Sequence, residues 1–280
     1  MADATCAPGE PADCRNATEP RPKLGPTPGL LFRADGVETG RISPSDALLR
    51  WIEHYWWVRW DVPEARANEV LTYPSVHVVF EGDEARVTGV VRARFSRTLE
   101  GQGAVFGVKF QPGMFRAFSP AAVSKLTDRV VPLSRELGPP ALELARTLVA
   151  LPDELERAKL LETALTAVVP TPDPDAELAR DLVTRVRTDG SLLSVAELSR
   201  ASGLSVRALQ RLFHEYVGVP PKWVVRRFRL QEASERLKTG NETVAAVAAS
   251  LGYFDQAHFV RDFKAEIGKT PIEYRRIVNS

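Results

Sequence analysis

The chain is poor in the residues that build covalent or metal-held frameworks, with 2 Cys and 4 His among 280 residues. Cys6 and Cys14 both stand near the N-terminus. That excludes a disulfide scaffold, and two Cys without neighbouring His give zinc too few ligands. Long apolar runs are missing too: no stretch approaches the ~18 continuous apolar residues of a membrane span. The chain does not open on a basic segment followed by an apolar one, so no secretory signal is expected and a cytoplasmic location fits. Charge of one sign is lacking as well, since 37 Lys plus Arg against 36 Asp plus Glu leave a net +1. Taken whole, that balance does not suggest nucleic acid. What remains, 44% hydrophobic and 26% charged residues, describes an ordinary globular protein long enough for two domains.

Dividing the chain changes the charge argument. Residues 176–280 hold 17 Lys plus Arg against 12 Asp plus Glu, net +5, and residues 1–175 are left with net −4. A positive excess on a small unit suits phosphate contact, which the acidic remainder does not.

The basic part contains one pattern written twice. Adding fifty to the numbers of Leu209, Arg211, Phe213, Val217, Gly218 and Pro221 gives Phe259, Arg261, Phe263, Ile267, Gly268 and Pro271. In each copy the apolar residues recur at i, i+4 and i+8, one stripe of a helix. The other stripe is polar. Upstream of each lies a short helix ending in Gly: Ser194 with Glu197 opens the first and Gly203 closes it, while Thr243 and Gly252 bound the second. Ser205 and Asp255 then cap the helices that follow. The second turn is one residue longer than the first, the extra residue being Tyr253 or Phe254. A short helix, a Gly turn and a second helix with an exposed polar face make a helix-turn-helix, expected at about 194–217 and again at about 243–267.

The run V-x-x-V-A-x-x-L-G-Y-x-D-Q-x-H-F-x-R-x-F-K-x-x-x-G-x-x-P-x-x-Y-R, from Val244 to Arg275, resembles the DNA-binding domain of the AraC/XylS family of bacterial transcription regulators. Leu209-Gln210-Arg211-Leu212-Phe213 with Gly218 and Pro221 fits the first half of that domain. The resemblance implies a cytoplasmic, nucleoid-associated bacterial regulator, an activator like most of that family, that contacts RNA polymerase. It also implies an N-terminal domain that senses a small molecule or mediates homodimerisation.

A recognition helix enters the major groove with its N-terminal residues toward base edges. Arg offers a bidentate fork to guanine and Gln one to adenine. The expected DNA-facing set is therefore Arg207, Gln210 and Arg211 in the first helix and Gln256, Ala257 and Arg261 in the second, the points at which the resemblance also places base-reading residues. Phosphate is the alternative partner for Arg261, and for Ser205 and His258 near helix N-termini, while Arg275 and Arg276 in a last helix opened by Thr270-Pro271-Ile272-Glu273 are expected phosphate contacts. A connecting helix from about Pro221 to Lys238, at ~1.5 Å per residue, would set the two units near the ~34 Å spacing of successive major grooves.

The rest of the chain reads as an α+β arrangement. Residues 1–40, with six Pro by position 28, are expected as a disordered tail, 41–168 as the regulatory domain, and 169–176 as the linker before a DNA-binding domain at 177–280. Ser43-Pro44-Ser45-Asp46 predicts a helix start. Alternation predicts strands at Val76 to Phe80, Ala85 to Ala93, Phe95 to Leu99 and Ala104 to Phe110, with a turn at Gly101-Gln102-Gly103. Helices are predicted at Ala141 to Leu151 and Glu154 to Val168. A metal site would need His54, His77, Glu53 and Glu81 gathered together, and neither metal nor cofactor is expected. Trp56, Trp57, His77 and Phe80 are candidates for an apolar ligand pocket, though core packing for the aromatics and a half-buried strand position for His77 are the preferred readings. A rival reading fuses the same DNA module to a cysteine alkyl acceptor using Cys6 or Cys14. Another is an architectural binder without sequence choice, which the Arg and Gln set argues against.

Overall fold

A computed structural model describes residues 20–23, 35–137 and 140–279. Cys6 and Cys14, and with them the cysteine-acceptor reading, lie outside the described residues. Seven antiparallel strands form one sheet in the order β1-β2-β3-β6-β4-β5-β7. They are β1 (Arg21–Lys23), β2 (Val37–Ser43), β3 (Ile52–Val70), β4 (His77–Glu81), β5 (Glu84–Thr88), β6 (Phe95–Phe110) and β7 (Val130–Pro132). Because β1 pairs with the end of β2, the segments 21–23 and 37–40 are strand, not the tail expected there. The turn predicted at Gly101-Gln102-Gly103 is absent too. β6 runs straight through it against β3, and the irregularity shows as a register shift between Val62 and Arg66 opposite Gly101, whose φ is 62°. Residues 45–51 form tight turns, not a helix, with Leu48 and Leu49 both donating to the Ser45 carbonyl at 3.0 Å.

Alternation along β3 and β6 sorts their aromatics onto opposite faces. Tyr55, Phe106 and Phe110 face a core that also takes Leu48, Trp51, Phe115 and Phe118 and is roofed by α2 (Pro140–Ala150) and α3 (Glu154–Thr166), which follow the short α1 (Leu133–Leu137). Trp56, Val58, Trp60 and Val105 lie on the other face. On that face Trp60 and Trp56 lie across Gly103 and Gly107, and on the core face Trp57 lies across Gly40, so closely that a Cβ at any of these glycines would overlap the indole. The core also buries a carboxylate: Glu162 of α3 accepts from the Ser45 amide at 3.0 Å, from the Ser45 hydroxyl at 2.5 Å and from the Tyr55 hydroxyl at 2.8 Å. These bonds satisfy both oxygens and tie α3 to the start of the sheet.

Beyond α3 the helices are α4 (Pro174–Thr188), α5 (Val195–Ser202), α6 (Val206–Leu212), α7 (Pro221–Thr239), α8 (Val244–Ser250), α9 (Gln256–Ile267) and α10 (Pro271–Val278). Asp173 caps α4, so the helix begins inside the stretch expected as linker. No helix among the described residues is long and apolar enough to cross a membrane.

Candidate nucleic-acid interface

Local chemistry sets both helix-turn-helix units. Ser194, Ser205, Thr243, Asp255 and Thr270 each accept a backbone N–H with the side chain, as N-caps do. Thr270 and Glu273 complete a reciprocal capping box. Gly203 and Gly252 take φ of 71°, the left-handed conformation that lets the chain turn sharply into the reading helix. Each unit has its own core. Leu198, Leu209, Phe213, Val217 and Val224 pack the first, and Val247, Phe259, Phe263, Ile267 and Tyr274 the second. α7 contributes to both, Val224 and Phe228 at one end and Leu237 at the other, so its nineteen residues, ~1.5 Å each, bridge roughly 28 Å.

The copies differ in two places. α6 passes into a π-helical turn at Phe213–Val217, closed by Gly218 donating to the Phe213 carbonyl at 2.7 Å, whereas α9 stays α-helical to Ile267. The longer second turn buries Tyr253, over which Arg229 lies at 4.3 Å, and leaves Phe254 99% exposed. Phe254 is thus the extra residue.

With the apolar stripe of each reading helix buried, the opposite stripe is open. Ser205, Arg207, Gln210 and Arg211 on α6, and Gln256, Ala257, His258 and Arg261 on α9, are all exposed. Arg207, Arg211 and Arg261 form no side-chain hydrogen bond or ion pair among the described residues, so their forks are free to meet an anion or a base edge. Lys222, Lys264, Lys269 and Arg276 are exposed cations on the same helical part.

Residues 198–277 match the family described as a helix-turn-helix domain, and residues 40–132 match a domain of unknown function (DUF6597). The chain is 36% identical over 83 residues to the HTH-type transcriptional activator AarP of Providencia stuartii, covering 30% of this chain and 62% of that protein. It is 31% identical over 121 residues to an uncharacterized HTH-type transcriptional regulator of Haemophilus influenzae, covering 43% and 35%. It is 36% identical over 88 residues to the RCS-specific HTH-type transcriptional activator RclR of Escherichia coli, covering 31% and 29%. The family match at 198–277 falls on the doubled motif. The C-terminal part of this chain is an AraC-type helix-turn-helix domain. In each of these three relatives the match spans less than two thirds of the protein.

Within the AraC-type domain two expected contacts are otherwise engaged. Arg275 is half-buried and its guanidinium donates to the Glu242 carbonyl, which ties α10 to the loop before α8; it is not the free phosphate contact expected. Arg276 remains exposed. The His258 ring stands edge-on to Tyr253 with Nε2 3.7 Å from Asp262, one turn along the same helix. Sequence reasoning overlooked Arg226, Arg227 and Arg229 of α7. Arg227 is buried, pairs with Glu266 and donates to the Arg92 carbonyl at 2.6 Å.

The four ligand-pocket candidates do not come together. Trp56 and His77 lie on one face of the sheet, the Trp56 Nε1 donating to His77 Nδ1 at 3.1 Å, while Trp57 and Phe80 pack on the core face. Burial, with the Lys109 ammonium nearby, pushes the His77 imidazole down to about 3. Glu53 and Glu81 are committed as well. Lys109 Nζ reaches Glu53 at 3.0 Å, and Glu81 is held by Arg86 and Arg97. Burial would raise the Glu53 carboxyl, but the hydrogen-bonded Lys109 ammonium outweighs that and holds it below its ordinary value.

Proposed function

We propose that this chain is a sequence-specific DNA-binding transcription regulator whose sheet domain controls its AraC-type domain. One observation carries the reading: two capped helices at equivalent positions of a repeat each present an exposed polar face, with Arg207, Gln210 and Arg211 on one and Gln256 and Arg261 on the other. Long planar donors with no partner among the described residues, on helices short enough to lie in a major groove, suit base edges better than a solvated surface requires. Activation is the direction that reading takes, as in the relatives AarP and RclR that are named activators. RNA polymerase and a second copy of the chain are the partners it calls for, in the cytoplasm. Control by a small-molecule effector does not rest on Trp56, Trp57, His77 and Phe80 acting as one site, because the sheet separates them.

The experiment is selection of duplexes from a random library by the full chain. The expected result is enrichment of two short boxes with centres ~10 base pairs apart, one helical turn. Binding to the enriched duplex should weaken steeply with salt. A folded protein that enriches nothing, or binds all duplexes alike, refutes the reading.

A further inference from the structure

Two loops of the sheet domain touch both units of the AraC-type domain, and they do so at matching places. At the first unit Thr127 Oγ1 donates to the Gly218 carbonyl at 2.7 Å, at the end of the π-helical turn. Arg116 Nε pairs with Glu215 at 2.6 Å and Ser124 Oγ lies 3.0 Å from His214 Nε2 in the same turn. One residue short of the position that matches Gly218, Arg94 Nη1 donates to the Ile267 carbonyl at 2.8 Å, at the end of α9. Each core also takes a buried apolar residue from the sheet domain, Val90 in the first, where Tyr73 packs against Phe228 as well, and Leu71 in the second.

The two loops are tied by the Gly89 amide donating to the Arg129 carbonyl at 3.0 Å and by Asp128. Asp128 accepts from the Arg92 amide at 2.7 Å and Nε at 2.6 Å, and its own N–H donates to the Val90 carbonyl at 3.0 Å. Its φ of 56° is the one positive value at a non-glycine among the described residues, a left-handed conformation that side-chain-bearing residues rarely adopt. Such strain persists where surroundings over-determine it, and here it falls at the junction of the two grips.

We infer that these loops form a bracket, with Thr127, Arg94 and Asp128 as positioning residues, that fixes the separation and rotation of the two reading helices. α7 joins the units through one continuous helix, which can bend and twist along its length, and Leu193 of the first unit lies against Gly252 of the second. A grip on the far end of each reading helix removes that freedom, so the base-pair spacing of the preferred site is set partly by the sheet domain. The inference rests on the DNA-reading function, and its test separates the two.

The test uses the duplex enriched by the wild-type chain and the same duplex with one base pair inserted between its boxes. Wild type should lose about tenfold or more on insertion, the size of a typical coupling between contacting elements. The paired change Thr127→Val with Arg94→Met keeps side-chain bulk and removes both donors. It should keep the thermal transition and the preference for each box while the insertion penalty falls to a few-fold. Asp128→Asn, which weakens both bonds to Arg92, is read the same way should the pair not fold. If affinity drops equally for both duplexes and the penalty stays, the loops only add stability and the inference is overturned.

A different observation concerns Phe254. Its ring is 99% exposed, it is the extra residue of the second turn, and it immediately precedes Asp255, the N-cap of α9. Phenylalanine at the mouth of a reading helix, beside Gln256 and Ala257, meets apolar surface in the major groove only at the C5-methyl of thymine. We propose that Phe254 reads one thymine methyl in the second box. Phe254→Ala should cost about tenfold on the enriched duplex, as burial of an aromatic ring would. Replacing one thymine of that box by deoxyuridine should cost wild type a similar factor and the variant nothing. Equal losses from deoxyuridine in both proteins at every thymine overturn the assignment.

Discussion

Arg227 offers a sharp test of how the helical part holds to the sheet domain. Its side chain is 0% exposed, its Nη2 serves both Glu266 of α9 and the Arg92 carbonyl at 2.6 Å, and its guanidinium stacks 4.5 Å from the Trp223 ring. Burial pulls the group down to about 10, so it stays charged at neutral pH. Arg227→Ala strands the Glu266 carboxylate, 12% exposed, with Arg226 at 3.9 Å as its remaining cation. Removing one partner of a buried pair costs ~3 to 5 kcal/mol, and the lower end applies because Arg226 stays. At roughly 2 to 4 °C per kcal/mol for a chain of this size, the transition should fall by about 6 to 12 °C. The assay is urea and thermal unfolding followed by circular dichroism. Pairing Arg227→Met with Glu266→Leu should recover most of the loss, since a packed apolar pair replaces a buried ion pair at little cost. A single variant within ~1 kcal/mol of wild type, or a double variant no better than the single, would refute the argument.

Two further outcomes are expected. Arg211→Ala should relax base choice within one box, whereas Arg276→Ala should weaken enriched and scrambled duplexes alike and reduce the salt slope by about one unit; equal loss on both duplexes for Arg211→Ala would make Arg211 a phosphate contact instead. His77, neutral when folded down to about 3, takes up a proton in the unfolded chain below its ordinary 6.5, so stability is lost as pH falls through that window. His77→Asn should flatten this acid limb of the urea midpoint, and an unchanged slope would show that other groups govern it.

The helical part was legible because its signals are local. Caps at Ser194, Ser205, Thr243, Asp255 and Thr270 lie within three residues of what they bind, and a repeat of fifty residues doubles every clue. The sheet domain was less legible. Gly101 and Gly103 look like a hairpin turn, but one is a kink in a long strand and the other a seat for Trp60; nothing within ten residues says so. Trp56, Trp57, His77 and Phe80 were grouped by type, and only the strand register separates them onto two faces. The sequence does not show that Arg275 and Arg227 are spent on carbonyls, because their partners lie 33 and 135 residues away.

The three tryptophans laid across glycines restrict how this sheet can change over generations. A side chain gained at Gly40, Gly103 or Gly107 must evict Trp57, Trp60 or Trp56, and a tryptophan lost exposes a bare strand with nothing to cover it. Neither member of a pair can change alone without passing through a less stable protein, so the two positions of each pair are constrained together.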